Sequence, residues 1–185
     1  MPPEVPPPPW HDFFVEVEAA LPAPVEIHCL GGFVLSMLYG MPRPTGDVDF
    51  LWAVPDAQIS FLVGRAGKGS RLHKLHGVYL QHVGIATLPE NYQERLVEMF
   101  PAVYRMLRFL GLDPYDLALS KLERNLARDR EDVKYLVRSV PLDPGVLERR
   151  YREELRPHLA NVERHDLTMQ LWLEMLHGEG QRRST

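Results

Sequence analysis

A single cysteine among 185 residues excludes an internal disulfide and any cysteine-rich zinc site, a pattern that suits a reducing cytoplasm. Cys29 lies in an apolar stretch, so it is expected as a packed core thiol rather than a reactive one. No apolar run approaches the length of a membrane span, and the first residues lack the basic and apolar regions of a signal peptide. A soluble, cytoplasmic protein with no membrane partner is therefore expected. An excess of positive charge is missing too: 21 Lys and Arg against 25 Asp and Glu leave a net charge of −4, so any RNA partner must be held by a local patch. What is present, 45% hydrophobic and 25% charged residues, is enough for one globular domain with a real core, with or without a small helical appendage.

The chemistry concentrates between His28 and Trp52. If Asp47 to Trp52 is a strand, alternation puts Asp47, Asp49 and Leu51 on one face and Val48, Phe50 and Trp52 on the other. Two carboxylates that close repel each other, and the usual remedy is a divalent cation with oxygen ligands, Mg²⁺ or Mn²⁺. Upstream, Val25 to Leu30 predicts a short apolar strand, Gly31-Gly32 a tight break, and Phe33 to Tyr39 an apolar helix. Glycines at a helix start let an anion approach the backbone, where N–H groups and the dipole favour phosphate. Arg43 and Thr45 add a guanidinium and a hydroxyl just before the acids. A phosphate cradle followed by a metal-binding carboxylate pair describes a nucleotide site.

Gly31-Gly32, a helix and a turn, then Asp47-Val48-Asp49 followed by apolar residues resembles the signature of the polymerase-beta-type nucleotidyltransferases. The likeness is to the minimal bacterial branch that includes abortive-infection and toxin–antitoxin nucleotidyltransferases. A second block, Leu112 to Asp132, resembles that branch's downstream motif, a lysine on a helix followed by Asp-x-x-Asp, and the resemblance spans roughly Val25 to Val137. It implies that Lys121 neutralises a triphosphate and that Asp129 and Asp132 serve metal, acceptor activation or the orientation of Lys121. Read alone, Arg128 to Asp132 is a salt-bridged, solvated helix start. Active members usually carry a third carboxylate on a strand beside the Asp-x-Asp strand. The matching position here is Gln81 or a neighbour, and no acid is present.

The rest of the chain frames these motifs. Residues 1–9 form a proline-rich extended arm, and Trp10 to Leu21 an amphipathic helix. Ala57 to Gly64 predicts a helix, Gly64 to Ser70 a basic surface loop, and the stretch with His73 and His76 a solvated loop. Val78 to Val83 predicts a strand with Tyr79, Gln81 and Val83 on one face; Pro89 to Phe100 an amphipathic helix; Tyr104 to Leu110 a strand. Asp113-Pro114 opens a helix expected to run from Tyr115 to about Ala127, with Lys121 and Arg124 on one face toward phosphates. Pro144 to Leu159 and His165 to Leu176 predict two helices, and residues 178–185 a flexible tail.

The expected architecture is α/β: a nucleotidyltransferase-type mixed sheet flanked by helices over residues 10–140, with C-terminal helices over 141–177 packed on it. The expected activity is metal-dependent transfer of a nucleoside monophosphate from a nucleoside triphosphate to an RNA or protein hydroxyl. These residues leave the acceptor open among a transfer RNA end, a protein hydroxyl and a small molecule, and the resemblance implies a cognate toxin or antitoxin as partner. The alternative is a catalytically degenerate fold that binds nucleotide or a partner as a regulator, which the missing strand carboxylate favours and Asp47, Asp49 and Lys121 oppose.

Overall fold

The computed structural model describes residues 3–183, so Met1 of the proline-rich arm and Thr185 of the expected tail, with their neighbours Pro2 and Ser184, lie outside the described residues. The chain divides into two units. The first runs through Ile85 and resumes over Leu96–Leu112; the second takes Ala86–Arg95 and the chain from Asp113 onward.

The first unit is a five-stranded mixed sheet in the order β3-β2-β1-β5-β4. β1 (Val25–Leu30) pairs antiparallel with β2 (Asp47–Val54) and parallel with β5 (Leu107–Gly111); β3 (Tyr79–His82) lies parallel to β2, and β4 (Val97–Met99) antiparallel to β5. Helices α1 (Trp10–Ala20), α2 (Gly31–Tyr39), α3 (Gln58–Ala66) and α4 (Arg71–His76) supply the opposing apolar layer. Phe13, Phe14 and Phe33 from the helices and Ile27, Val48, Phe50, Leu80 and Phe109 from the sheet are all buried. Phe14 lies 4.4 Å from Phe109 and 5.9 Å from Phe33, ring centre to ring centre. Each such side chain contributes roughly 1.5–3 kcal/mol by leaving water.

Three expectations for the chain up to Phe100 are corrected. Trp52 does not face the core with Val48 and Phe50. The register slips between His28 and Cys29, which pair with Trp52 and Phe50, so Leu51 is an extra residue on β2. A bulge of one residue reverses the alternation, and Ala53 goes inward while Trp52 and Val54 turn outward. Pro89 to Phe100 is not a helix: it is a 3₁₀ turn at Tyr92–Arg95 followed by β4, because hydrogen bonding to β5 overrides a helical spacing of apolar residues. The stretch from Gly64 to His76 is helical at both ends. α3 continues to Ala66, and Ser70 caps α4 by accepting from the His73 N–H at 3.1 Å.

The second unit is helical. α5 (Pro114–Leu119) ends sooner than expected, in a turn that carries Lys121 and Arg124 and reaches Asn125 at φ 43°. α6 (Ala127–Ser139) and α7 (Pro144–Arg150) follow, then a π-helical turn (Tyr151–Leu155), a 3₁₀ turn (Arg156–His158) and α8 (Val162–Arg183), which takes in most of the stretch expected as a tail. Asp113 and Asp143 cap α5 and α7, each with proline at the first helical position. Leu117, Val133, Leu136, Leu147, Leu155 and Trp172 are buried in this unit. The Ala86–Arg95 excursion is tied down by Arg95, which donates to Asp116 at 2.9 and 3.3 Å and to Glu154 at 2.7 and 3.3 Å.

Candidate nucleotide site

Asp47 and Asp49 share a half-exposed face of β2, while Val48 and Phe50 between and beyond them are buried. Leu30 pairs with Asp49 across the β1–β2 ladder, and the chain turns straight from Leu30 into α2. Gly31 makes that turn at φ 75°, a region favoured only by glycine, and a Cβ added there would lie 3.2 Å from the Asp49 Cγ. Glycine is needed at this position for both reasons. The Gly-Gly break and the Asp-x-Asp, separate motifs in the sequence, are thus in contact, with the Asp49 carboxylate beside the start of a helix, where the dipole favours negative charge.

Asp47 is held by two hydroxyls. Thr45 Oγ1 donates to Asp47 Oδ1 at 3.0 Å and Tyr79 donates to Asp47 Oδ2 at 3.3 Å. Thr45, expected at a phosphate, is placed as a support for a carboxylate. A carboxylate accepts about four hydrogen bonds, so two donors leave lone pairs for a cation. Burial, and then the charge of Asp47 with its hydrogen bond, push the Tyr79 phenol up, so it stays a donor. Lys68 lies 5.8 Å above the Tyr79 ring, which brings the glycine-rich segment's cation to this side of β3. Arg43 is half-buried in the loop between α2 and β2.

Gln81 stands opposite Asp49, and Tyr79 opposite Asp47, in the parallel β2–β3 register. The residue of β3 beside Asp49 is therefore an amide rather than an acid, and its Nε2 donates to the His82 carbonyl at 3.3 Å. Cys29 is buried in β1; burial first, and the Asp49 charge second, push its thiol up and keep it protonated, as expected of a core thiol. Tyr79 was missed as a partner of Asp47. The signal was present in the period of two that puts it on Gln81's face, but it needed the strand register to be read.

The second unit gathers the downstream motif. Lys121 is 5% exposed, and its Nζ lies 2.8 Å from Asp132 Oδ2 and 3.9 Å from Asp129 Oδ1. Arg124 does not share that environment. It is largely exposed and reaches Asp129 through two hydrogen bonds, at 2.6 and 2.8 Å. Asp129 also accepts from the Leu126 N–H at 3.0 Å, which closes the start of α6. Burial would raise the Asp129 carboxyl, but the hydrogen bonds from Arg124 and Leu126 and the charges of Arg124 and Lys121 outweigh it and hold it below the ordinary range. In the run Arg128 to Asp132, Asp129 and Asp132 are buried while Arg128, Arg130 and Glu131 stay exposed, so only part of it is a solvated face.

A mixed five-stranded sheet with a helical layer, an Asp-x-Asp on an open strand face and a glycine turn against it define a nucleotidyltransferase-type α/β protein. The family model described as "nucleotidyltransferase of unknown function (DUF6036)" matches residues 22–175, and the chain belongs to that family. No curated protein and no solved structure matches it. No helix among the described residues is long and apolar enough to cross a membrane.

Proposed function

We propose that the first unit binds a nucleoside triphosphate with Mg²⁺ (or Mn²⁺) and that the protein transfers the nucleoside monophosphate to a hydroxyl of an RNA or a protein. The observation that carries this reading is the meeting of two motifs: Asp47 and Asp49 share an open face, and Gly31 at the start of α2 lies against Asp49. Among the described residues no cluster of three or more acids, histidines or cysteines could hold a metal ion. Mg²⁺ commonly takes one or two carboxylates and completes its shell with water and substrate phosphates, so the Asp47–Asp49 pair fits it. Bound there, the ion supplies charge stabilisation to the phosphates. The acceptor hydroxyl gives up its proton to water as its oxygen attacks the α-phosphorus in line, the bond to the oxygen bridging toward the β-phosphate breaks, and pyrophosphate leaves. In this reading Gly31, Gly32 and Arg43 hold phosphates, Thr45 and Tyr79 position Asp47, and Asp129 and Asp132 position Arg124 and Lys121. The acceptor class, a transfer RNA or a protein, and a toxin–antitoxin setting with a cognate partner are proposed on the resemblance.

The second reading is a nucleotide-binding regulator without turnover. Gln81 in register with Asp49 favours it, since the neighbouring strand offers an amide and no acid beside the carboxylate pair. Incubation of the pure protein with each labelled nucleoside triphosphate, Mg²⁺ and a cell extract separates the two. A labelled RNA or protein fraction, lost in Asp49→Asn, supports transfer; nucleotide binding with no labelled fraction supports the regulator, and neither binding nor labelling refutes both.

A further inference from the structure

The bulge in β2 leaves a large aromatic ring in an unusual place. Trp52 is 45% exposed, whereas Trp10 and Trp172 are each 4% exposed. A regular strand would have sent Trp52 to the core side with Phe50; the extra residue at Leu51 returns it to the face that carries Asp47 and Asp49. Trp52 lies three positions past Asp49, roughly 10 Å of extended chain. Its cross-strand neighbour in the β1–β2 pairing is His28, a buried imidazole hydrogen-bonded to Glu26 Oε1 at 3.1 Å. Past it on the same face, Val54 is exposed and lines a cavity of about 380 Å³ with Glu26, Glu98 and Arg108, so the surface stays open in that direction.

We infer that Trp52 is the platform on which the base of the bound nucleotide stacks, a positioning residue for the substrate rather than a packing residue. This rests on the nucleotide reading of the Asp47–Asp49 face. A triphosphate held at the carboxylates extends its ribose and base along one of the strand directions, and along β2 the first exposed ring it meets is this indole. Stacking on a flat ring is available to every base, because each has a π-face, and no carboxylate or amide is needed to read an edge. The ligand class is therefore a nucleoside triphosphate of broad base tolerance, with the purines favoured by their larger ring.

Trp52 is also the one exposed indole among the described residues, so its own emission reports the contact. The full-length protein in Mg²⁺ is titrated with ATP, CTP, GTP, UTP and, separately, inorganic tripolyphosphate, following emission and measuring affinity by calorimetry. The expected result is quenching by all four nucleotides but not by tripolyphosphate. Trp52→Ala should lose about five- to 150-fold in affinity for nucleotides, the range of one lost base–aromatic stack, with tripolyphosphate affinity unchanged, and Trp52→Phe should keep most of it. A melting curve of Trp52→Ala equal to wild type checks that the fold is kept. If tripolyphosphate and nucleotides bind the wild type and Trp52→Ala binds nucleotides as tightly, the platform is refuted while the phosphate site stands. Binding of neither ligand to the wild type refutes both, and a strong preference for one base refutes the tolerance.

Discussion

Gln81 stands directly opposite Asp49 in the parallel pairing of β3 with β2, so the strand beside the Asp47–Asp49 face carries an amide rather than an acid there. Gln81→Glu is expected to raise Mg²⁺ affinity by about tenfold, equivalent to about 1.4 kcal/mol, and to lower metal-free stability slightly through repulsion with Asp49. Magnesium titration by calorimetry, with melting curves in chelator, tests both signs. Unchanged Mg²⁺ affinity would mean that the cation does not sit between these strands.

Asp47→Asn should leave the metal-free fold within about 1 kcal/mol of wild type, because the remaining carbonyl oxygen still accepts from Thr45 or Tyr79 and one like charge beside Asp49 is gone. The same change should abolish any stabilisation by Mg²⁺ with nucleoside triphosphate. Wild type should gain roughly 2.7 kcal/mol at a hundredfold excess of ligand over Kd. Thermal melts with and without ligand measure the difference, and a clear loss of metal-free stability would make Asp47 a structural acid.

Gly31→Ala is expected to cost about 1–2 kcal/mol for the left-handed backbone alone. The new Cβ also displaces the Asp49 carboxylate, so the loss of Mg²⁺ affinity should exceed what the loss of stability explains. Urea unfolding and metal titration on one preparation compare the two losses.

Lys121→Ala removes the ammonium 2.8 Å from the buried Asp132 carboxylate, one of the groups that hold it, and should cost about 1–3 kcal/mol. Lys121→Met with Asp132→Leu takes out both charges and should recover at least half of that. Urea midpoints of the single and double variants decide. A harmless Lys121→Ala would show that the ammonium is not needed to hold Asp132.

Stability of the second unit toward acid has a part assignable to Asp129. Its carboxyl is held below the ordinary range in the fold, so its contribution is complete above the unfolded value near pH 4 and is lost as pH falls through the lower folded value. Asp129→Asn should therefore flatten the acid limb of the stability profile and lower stability at neutral pH. Asp116 has the opposite sign: burial leads, and despite Arg95 and Arg150 its carboxyl is held above the ordinary range, so its contribution falls as pH rises through the raised folded value. Unfolding free energies measured from pH 7 to pH 3 on both asparagine variants should diverge accordingly.

Much of the first unit was legible because its signals are local. Val25 to Leu30 and the outward faces of Asp47 and Asp49 follow from a period of two, and the start of α2 from the glycines. Trp52 was not legible, since one extra residue in the β1–β2 pairing reverses the alternation without any mark in composition. Leu96, Met99 and Phe100 have helical spacing, yet β5 recruits Val97–Met99 as a strand; only the partner, distant in sequence, decides. In the second unit Lys121 was expected on a helix face, and it is the pairing with Asp132 in the next helix that fixes it. Asp129 and Asp132 sit in a charge run that, read alone, is a solvated helix start; only the resemblance singles them out, because nothing local reveals that Lys121 and Arg124 fold back onto them.

The excursion of Ala86–Arg95 into the second unit gives the chain an order of assembly. Arg95 is synthesised well before Asp116 and Glu154, the two carboxylates that hold it, so the second unit cannot close around this segment until translation has passed Glu154. The first unit meanwhile has both ends of the excursion, Ile85 and Leu96, within its own fold. A fragment that stops at Leu112 would carry a dangling ten-residue bridge, and a clean excision of the sheet unit requires a linker from Ile85 to Leu96 in its place.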